Sequence, residues 1–245
     1  MMIQVTIHFL FDMKNTIGII TANHGRPKIL NLFGAGIKRL RTDLNLDIPV
    51  VCVSGEEDKA ILDQWGITHI VQENIPVSNK FNTACKYMNS IGVDYVCISG
   101  SDNLIATDTF KRLMREMEFG IDLIGIDQIY FYCTFGLEKG EVVKLKTQDA
   151  KMLGVAKCIK RSVLEAVDFR PWNGNKNWGL DALAQQTILP HVKTRSIVSD
   201  AQVVDIKSLT NINKYHVFSR RLQKIDPKEI FYFLGQEEIQ ILRTI

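Results

Sequence analysis

Asp102 ends the run Asp94-Tyr-Val-Cys-Ile-Ser-Gly-Ser-Asp102-Asn103, and the chemistry of this chain is most legible there. Tyr95 to Ile98 is a short apolar run that reads as a buried strand, and it empties into a polar turn. Gly100 and Ser101 are small, so a ligand can approach the backbone closely. An acid at the carboxyl end of a parallel strand stands where open α/β sheets bind ligands. Its hard oxygens suit a divalent cation and, through it, a diphosphate. Asn103 is placed to support such an ion. The plainer alternative is a turn whose Asp and Asn bond the backbone or cap the next helix. Thr107 or Asp108 already offers that helix a cap, which weighs against it.

Four further clusters carry polar chemistry. Thr21-Ala-Asn23-His24-Gly25-Arg26 follows the first strand, where a loop can cradle a base or ribose and Arg26 can fork onto a phosphate. It is not a phosphate-cradling glycine loop, because neither G-x-G-x-x-G nor G-x-x-x-x-G-K-[ST] is present. Lys80-Phe81-Asn82 opens a helix. Lys80 suits a phosphate and Asn82 a base edge, although residue type alone favours a solvated first turn. Trp178-Gly179-Leu180-Asp181 follows a polar loop. There Asp181 is either a general base for an acceptor hydroxyl or a first-turn acid complementing the helix dipole. Asp205-Ile-Lys207-Ser, with Asn211 beyond it, is basic and amide-rich. Lys207 can close over a leaving diphosphate, or lie as a snorkelling lysine on a solvated face. His216 lacks the spaced partners of a metal ligand.

The elements that must hold these residues alternate. Strands are expected at Ile17 to Thr21, Val50 to Val53, Ile67 to Val71 and Tyr95 to Ile98. The first helix starts at Pro27 and repeats Ile29, Leu30, Phe33, Ile37 and Leu40 at helical spacing. The second follows Glu56, Glu57 and Asp58, carries Ile61, Leu62 and Trp65 inward, and ends at Gly66. A third spans Asn79 to Asn89. This β-α-β-α-β-α-β order implies a doubly wound, mostly parallel sheet with helices on both faces. The second half reads as mixed, with a helix over Asp108 to Glu118 and strands over Leu123 to Ile126 and Ile129 to Phe135. A hairpin turn at Glu138 to Glu141 leads to Val142 to Leu145. Then come a strand over Val155 to Ile159, helices over Arg161 to Val167 and Gly179 to Leu189, and a strand over Thr194 to Val198. After Asp205 a basic, mostly helical tail is expected, so the domain runs over residues 13–205 and the tail over 206–245. Residues 1–12 alternate Ile3, Val5, Ile7, Phe9 and Phe11, as an edge strand would. They read equally as an extension upstream of a start at Met13.

Composition narrows the class. The 245 residues are 46% hydrophobic and 23% charged, an ordinary soluble profile with room for one large α/β domain. A net charge of +3 gives no electrostatic case for bulk nucleic-acid binding. No apolar run reaches membrane-spanning length, and the N-terminus lacks the basic start of a signal peptide. Cys52, Cys85, Cys97, Cys133 and Cys158 are odd in number and have no Cys-x-x-Cys spacing. They read as small buried hydrophobes in a reducing cytoplasm.

Taken in order from Ile17 to Asn213, the motifs resemble those of GT-A-fold glycosyltransferases, close to family two. The matching segments are Arg26-Pro27, Val50 to Asp58, Lys80-Phe81-Asn82, Gly100-Ser-Asp102-Asn103, Gly154 to Arg161, Gly179-Leu-Asp181 and Asp205-Ile-Lys207-Ser. Members of the fold usually carry Asp-X-Asp at the acidic turn. Gly100 replaces the first Asp, which commonly contacts ribose, and Asp102 matches the second, which commonly contacts the metal. After the second strand, Asp58 matches the family's acid better than Ser54.

The resemblance implies a nucleotide-diphosphate sugar donor, a UDP-sugar by preference, and Mn²⁺ or Mg²⁺ held by Asp102 and Asn103. Thr21, Asn23, Arg26, Asp58, Lys80, Asn82 and Ser101 would bind the nucleotide, and Lys207 the diphosphate. Gly154 and Trp178 would flank the sugar and acceptor, and Asp181 would be the base of an inverting displacement. The acceptor is open among a glycan, a lipid-linked sugar, a protein and a modified nucleobase. Rival readings are a sugar-phosphate nucleotidyltransferase, whose G-G-x-G-x-R loop survives here only as Gly25-Arg26, and a degenerate protein that binds nucleotide sugars without catalysis.

Overall fold

The computed structural model describes residues 14–72, 76–148, 151–211 and 215–245. The alternating segment at 1–12 lies outside them. The first half runs β1 (Ile17–Ala22), α1 (Pro27–Leu44), β2 (Val50–Ser54), α2 (Lys59–Gln64), β3 (Thr68–Val71), α3 (Val77–Ser90) and β4 (Tyr95–Ile98). The second half runs β5 (Asn103–Ile105), α4 (Thr107–Glu118), β6 (Leu123–Ile126), β7 (Gln128–Cys133), β8 (Val142–Lys146) and β9 (Lys157–Lys160). It continues with α5 (Arg161–Glu165), α6 (Leu180–Ile188), β10 (Arg195–Val198) and β11 (Val203–Lys207). The chain ends with α7 (Tyr215–Ser219), β12 (Gln223–Ile225), α8 (Lys228–Phe231) and α9 (Gln236–Thr244).

Among the described residues, the main sheet has the order β10-β6-β9-β4-β1-β2-β3 and is parallel except at β9, which pairs antiparallel with both β4 and β6. β1 and β4 are buried at almost every position, which is why both read as continuous apolar runs. α1 packs on one face through Leu30, Phe33, Ile37 and Leu40, joined by Phe110, Leu113 and Met117 of α4. On the other face α3 and α6 bury Phe81, Ala84, Met88, Ala184 and Ile188. Proline at the start of α1 and left-handed Asn45 (φ 52°) after its end punctuate that helix.

A second, mixed sheet has the order β12-β8-β7-β11-β5. It corrects two expectations. Residues 103–105 form a strand rather than the tail of a turn, with Asn103 opposite Asp205 in the antiparallel β5–β11 ladder. The segment around Asp205 is extended instead of helical, and the boundary set at residue 205 falls inside β11. Val203, Val204 and Ile206 are fully buried, a pattern that tertiary packing and not the local charge imposes. Further along, β12 joins β8, and α9 docks on α1 through a buried fork from Arg39 to Glu238. The cap expected at Thr107 or Asp108 is absent: Ala106 takes that position without a side-chain bond, and the Thr107 hydroxyl donates to Asp43.

Gly34 of α1 lies flat against the Trp65 ring, whose Nε1–H donates to Asn31 at 2.9 Å. A Cβ at Gly34 would run into the indole. Gly34→Ala gains about 1 kcal/mol of helix propensity, against an overpacking cost of about 1–3 kcal/mol. A lowered urea midpoint is expected, with an unchanged slope.

Candidate functional site

The carboxyl ends of β1, β4 and β11 converge on a cavity of about 340 Å³ lined by Asn23, Arg26, Lys80, Asp102, Lys207 and Asn211, among others. The turn after β4 sets its geometry. Asn103 Oδ1 accepts the Gly100 N–H at 2.6 Å, and a Cβ on Gly100 would overlap the Asp102 carboxylate. The position at which the fold's members usually carry an acid therefore has no room for a side chain in this turn. Asp102 points into the cavity. It accepts from Arg26 Nη1 at 2.7 Å and from Asn211 Nδ2 at 2.7 Å. The other arm of Arg26 donates to Ser101 Oγ at 2.7 Å.

Behind this front runs a buried polar chain. Ser101 Oγ donates to Asn23 Oδ1 at 3.0 Å, Asn23 Nδ2 to Asp58 at 2.7 Å, and Lys80 Nζ to the Asn23 carbonyl at 3.1 Å. Lys80 and Asp58 are both almost completely buried. Burial pulls the Lys80 ammonium below the usual lysine value, while Cys52, Asp58 and Glu57 oppose that pull. Such a network fixes its members at defined positions because each unmade bond would be costly inside the protein.

Asp205 is a candidate to which the sequence reading gave no role of its own. It lines the cavity with Asp102, and its carboxyl is pushed up to about 7, first by burial and then by the Asp102 charge, against the pull of Lys207 and Arg26. Lys207 Nζ lies 2.9 Å from Asp205 and beside the rings of Phe131 and Phe218, 5.0 and 5.1 Å from their centroids. The two rings stack at 4.2 Å. The signal was present in the sequence: Asp205 and Lys207 are two apart, the spacing that puts residues on one face of a strand.

The remaining candidates are distributed less evenly. Thr21 is fully buried in β1 with its hydroxyl unpartnered among the described residues, and Asp58 reaches the cavity only through Asn23. Asn82 does not face the cavity: its amide donates to the Trp172 carbonyl and accepts from the Trp172 N–H, tying α3 to the following loop. Asn103 is engaged by Gly100 as described. Trp178 is 74% exposed beside Lys176, beyond the rim that Asn177 and Leu180 form. Asp181 follows Leu180 and lays its carboxylate against Gly154, where a Cβ would overlap both oxygens. His216 is exposed. A larger cleft of about 770 Å³, lined by Met152, Gln185, Leu189 and Arg195, lies between α6 and β10 and holds none of these candidates.

No group of three His, Cys, Asp or Glu side chains that could hold a metal occurs among the described residues. Asp102 and Asp205 do line one cavity, and burial first, then the Asp102 charge, raise the Asp205 carboxyl. That donor set fits a hard divalent ion of the Mg²⁺ type, which typically takes one or two carboxylates and completes its shell with phosphate oxygens and water. Such an ion would have to share Asp102 with Arg26.

The chain has a GT-A-like α/β fold, which solved structures of low sequence identity share. No protein-family model matches the sequence, and curated proteins give no significant match. Among solved structures, TarS residues 1–349 of S. aureus superimposes with a TM-score of 0.56 and 13% identity, covering 78% of this chain and 60% of that one. A cytidylyltransferase from Leptospira borgpetersenii superimposes with a TM-score of 0.50 and 13% identity, over 94% of each chain. This chain thus spans less than two thirds of the TarS fragment but nearly all of the cytidylyltransferase. None of the described helices is long and apolar enough to cross a membrane.

The Asp205 carboxyl predicts a pH effect with a definite sign. Its pKa is raised in the folded chain, so the folded state holds the proton more tightly than the unfolded one. The resulting stability is complete below the ordinary aspartate value and is lost as pH rises through about 7. For one proton the slope is at most about 1.4 kcal/mol per pH unit. Asp205→Asn should flatten that part of the profile, as read by thermal melts at a series of pH values.

Proposed function

We propose that the chain is a transferase that takes a nucleotide-diphosphate sugar, by preference a UDP-sugar, and passes the sugar to an acceptor hydroxyl. The observation that carries this reading is the pairing of two carboxylates, Asp102 and Asp205, with the cations Arg26, Lys80 and Lys207 in one cavity. Nucleotide diphosphates bring the opposite pattern, a string of anionic oxygens with a divalent ion. Asn23 and Lys80 take the nucleoside end, with Asp58 and Ser101 holding Asn23. Arg26 and Lys207 take the phosphates. A divalent ion at Asp102 and Asp205 would supply Lewis-acid stabilisation of the leaving diphosphate. Asp181, beside the rim, takes the acceptor proton, and Trp178 offers an aromatic face next to it.

A second reading is favoured by a specific pair of observations. The match to the cytidylyltransferase extends over 94% of both chains, and the carboxylate pair serves a nucleoside triphosphate as well as a diphosphate. A nucleotidyltransferase would join a nucleoside triphosphate to a sugar phosphate and release pyrophosphate. Pyrophosphate release from such a mixture, without sugar transfer from any diphosphate donor, would establish this second reading in place of the first.

Two measurements test the site. In calorimetric titration of UDP with Mn²⁺, Asp102→Asn and Asp205→Asn should each lose most of the metal-dependent affinity, and unchanged affinity would remove the carboxylate pair from the metal. Asp181→Asn should melt and bind UDP nearly as the wild type does. Its transfer rate should fall by roughly 10²-fold or more, the range for a positioned proton acceptor. Transfer within about threefold of wild type would place the base elsewhere.

A further inference from the structure

β10 is the edge strand of the main sheet, and it presents an arginine on the side that α6 covers. Arg195 is opposite Leu123, and Ile197 opposite Gly125, in the parallel β10–β6 ladder. Leu123 packs in the apolar cluster of Ala184 and Ile188 of α6, so Arg195 shares that face of the sheet. Gly125 leaves a hollow there, which the Met152 side chain fills. The cleft of about 770 Å³ opens between these parts, with Arg195, Ile197, Met152, Gln185 and Lys151 among its lining. Its charge is one-sided. Arg195 and Lys151 are both exposed, no acid lines the cleft among the described residues, and neither cation joins an ion pair there. Asp122, next to Leu123, is turned instead to the backbone N–H groups of Lys193 and Thr194. A third cation stands at the level of the cleft floor. β9 meets β6 through Ile159–Leu123 and Cys158–Ile124, and one more step of that register sets Lys157 level with Gly125. Ile159 packs in the same cluster as Leu123, so Lys157, two residues away, is on the same face. Lys157 is 1% exposed, and its ammonium has no hydrogen-bond partner among the described residues. An ammonium buried without a partner destabilises a fold, and an anion bound beside it offsets that cost.

The cleft also adjoins Asp181. Gln185 follows Asp181 by one helical turn, on the same side of α6. Met152 precedes by two residues Gly154, against which the Asp181 carboxylate lies. Both walls of the cleft therefore lead back to that acid. We propose that the cleft is the acceptor site and that it takes a small hydroxyl compound bearing a phosphate, with Arg195 on the phosphate and the hydroxyl toward Asp181. This rests on reading Asp181 as the proton acceptor. A guanidinium forks equally well onto a carboxylate or a phosphate. Three cations, however, balance a phosphate dianion better than a single carboxylate charge, and a neutral acceptor would leave all three unbalanced. The length agrees with a small molecule. From Asp181 to Ile188 the helix runs about 10 Å at its usual rise, room for one sugar and its phosphate.

The test is an amide-resolved NMR titration of the full chain with glucose 6-phosphate, without donor or metal, and with glucose as the control. Glucose 6-phosphate should shift the amides of Gln185, Arg195, Ser196 and Ile197, and glucose at the same concentration should leave them in place. Arg195→Gln should weaken the binding roughly fivefold or more, and Arg195→Lys should recover part of it. Should Arg195→Gln fail to fold, Lys151→Gln serves as the second variant, with a loss in the same direction. No shift in the cleft overturns the proposal. So do shifts confined to the surroundings of Arg26 and Lys207, which would assign the phosphate to the donor cavity. In a transfer assay, Arg195→Gln should raise KM for the phosphorylated acceptor and leave KM for the donor unchanged. Transfer that prefers glucose to glucose 6-phosphate would overturn this proposal and leave the function reading intact. A chain that binds glucose 6-phosphate in the cleft yet transfers no sugar would support the phosphate site and overturn the function reading alone, since the titration needs no donor.

Discussion

Two carboxylates brought into one cavity, from the turn after β4 and from the middle of β11, are the constraint around which the site is arranged. Asp102 and Asp205 come from parts of the chain about a hundred residues apart and are brought together by the β5–β11 ladder, in which Asn103 and Asp205 are opposite. Left alone they would repel, and burial would sharpen the repulsion because the interior screens charge poorly. Each acid therefore has its own cation, Arg26 for Asp102 and Lys207 for Asp205. Even so, the balance is incomplete, as the raised Asp205 carboxyl shows.

The surrounding structure holds these four groups in place. Arg26 is fixed at the entry to α1, where it bonds both Asp102 and Ser101. Lys207 lies beside a stacked pair of aromatic rings, with its ammonium on Asp205. Asn211 closes over Asp102 from the far side, and its own Oδ1 is bonded by Ser208. α9 is distant from the cavity but braces it. The Arg39 fork that binds Glu238 also donates to the Ile105 carbonyl, locking β5 from behind.

The two halves of the chain divide the work. The parallel half supplies the loop after β1, Lys80 and the acidic turn, which together form one wall of the cavity. The mixed half supplies Asp205 and Lys207 opposite, and α6 with Asp181 at the rim. Asn82 links the two, since its amide is bonded on both sides to Trp172 and so holds the loop that leads to α6. Its value lies in that link, which a base-reading role would have broken.

The sequence by itself determined the parallel half. Strands β1, β2 and β4 are short apolar runs buried on both faces, the helices carry apolar stripes, and proline and glycine mark joints, so local physics and the final fold agree. It also picked out Asp102, Arg26, Lys80 and Lys207 as chemical residues, because acids and bases at strand ends and loop starts are few. Only the tertiary structure decided the rest. Residues 206 and 207 were expected to open a helical tail, yet they continue β11, because charge in a local window hides a strand pattern whose partners lie far away in sequence. Asn103 looked like a free ligand, yet the tight turn at Gly100 takes its oxygen. Asn82 looked free to meet a base, yet Trp172 takes both ends of its amide. The convergence of Asp102 and Asp205 on one cavity depends on which strands end side by side. That is set by the sum of many burial contacts across the chain, and no local stretch of sequence encodes it.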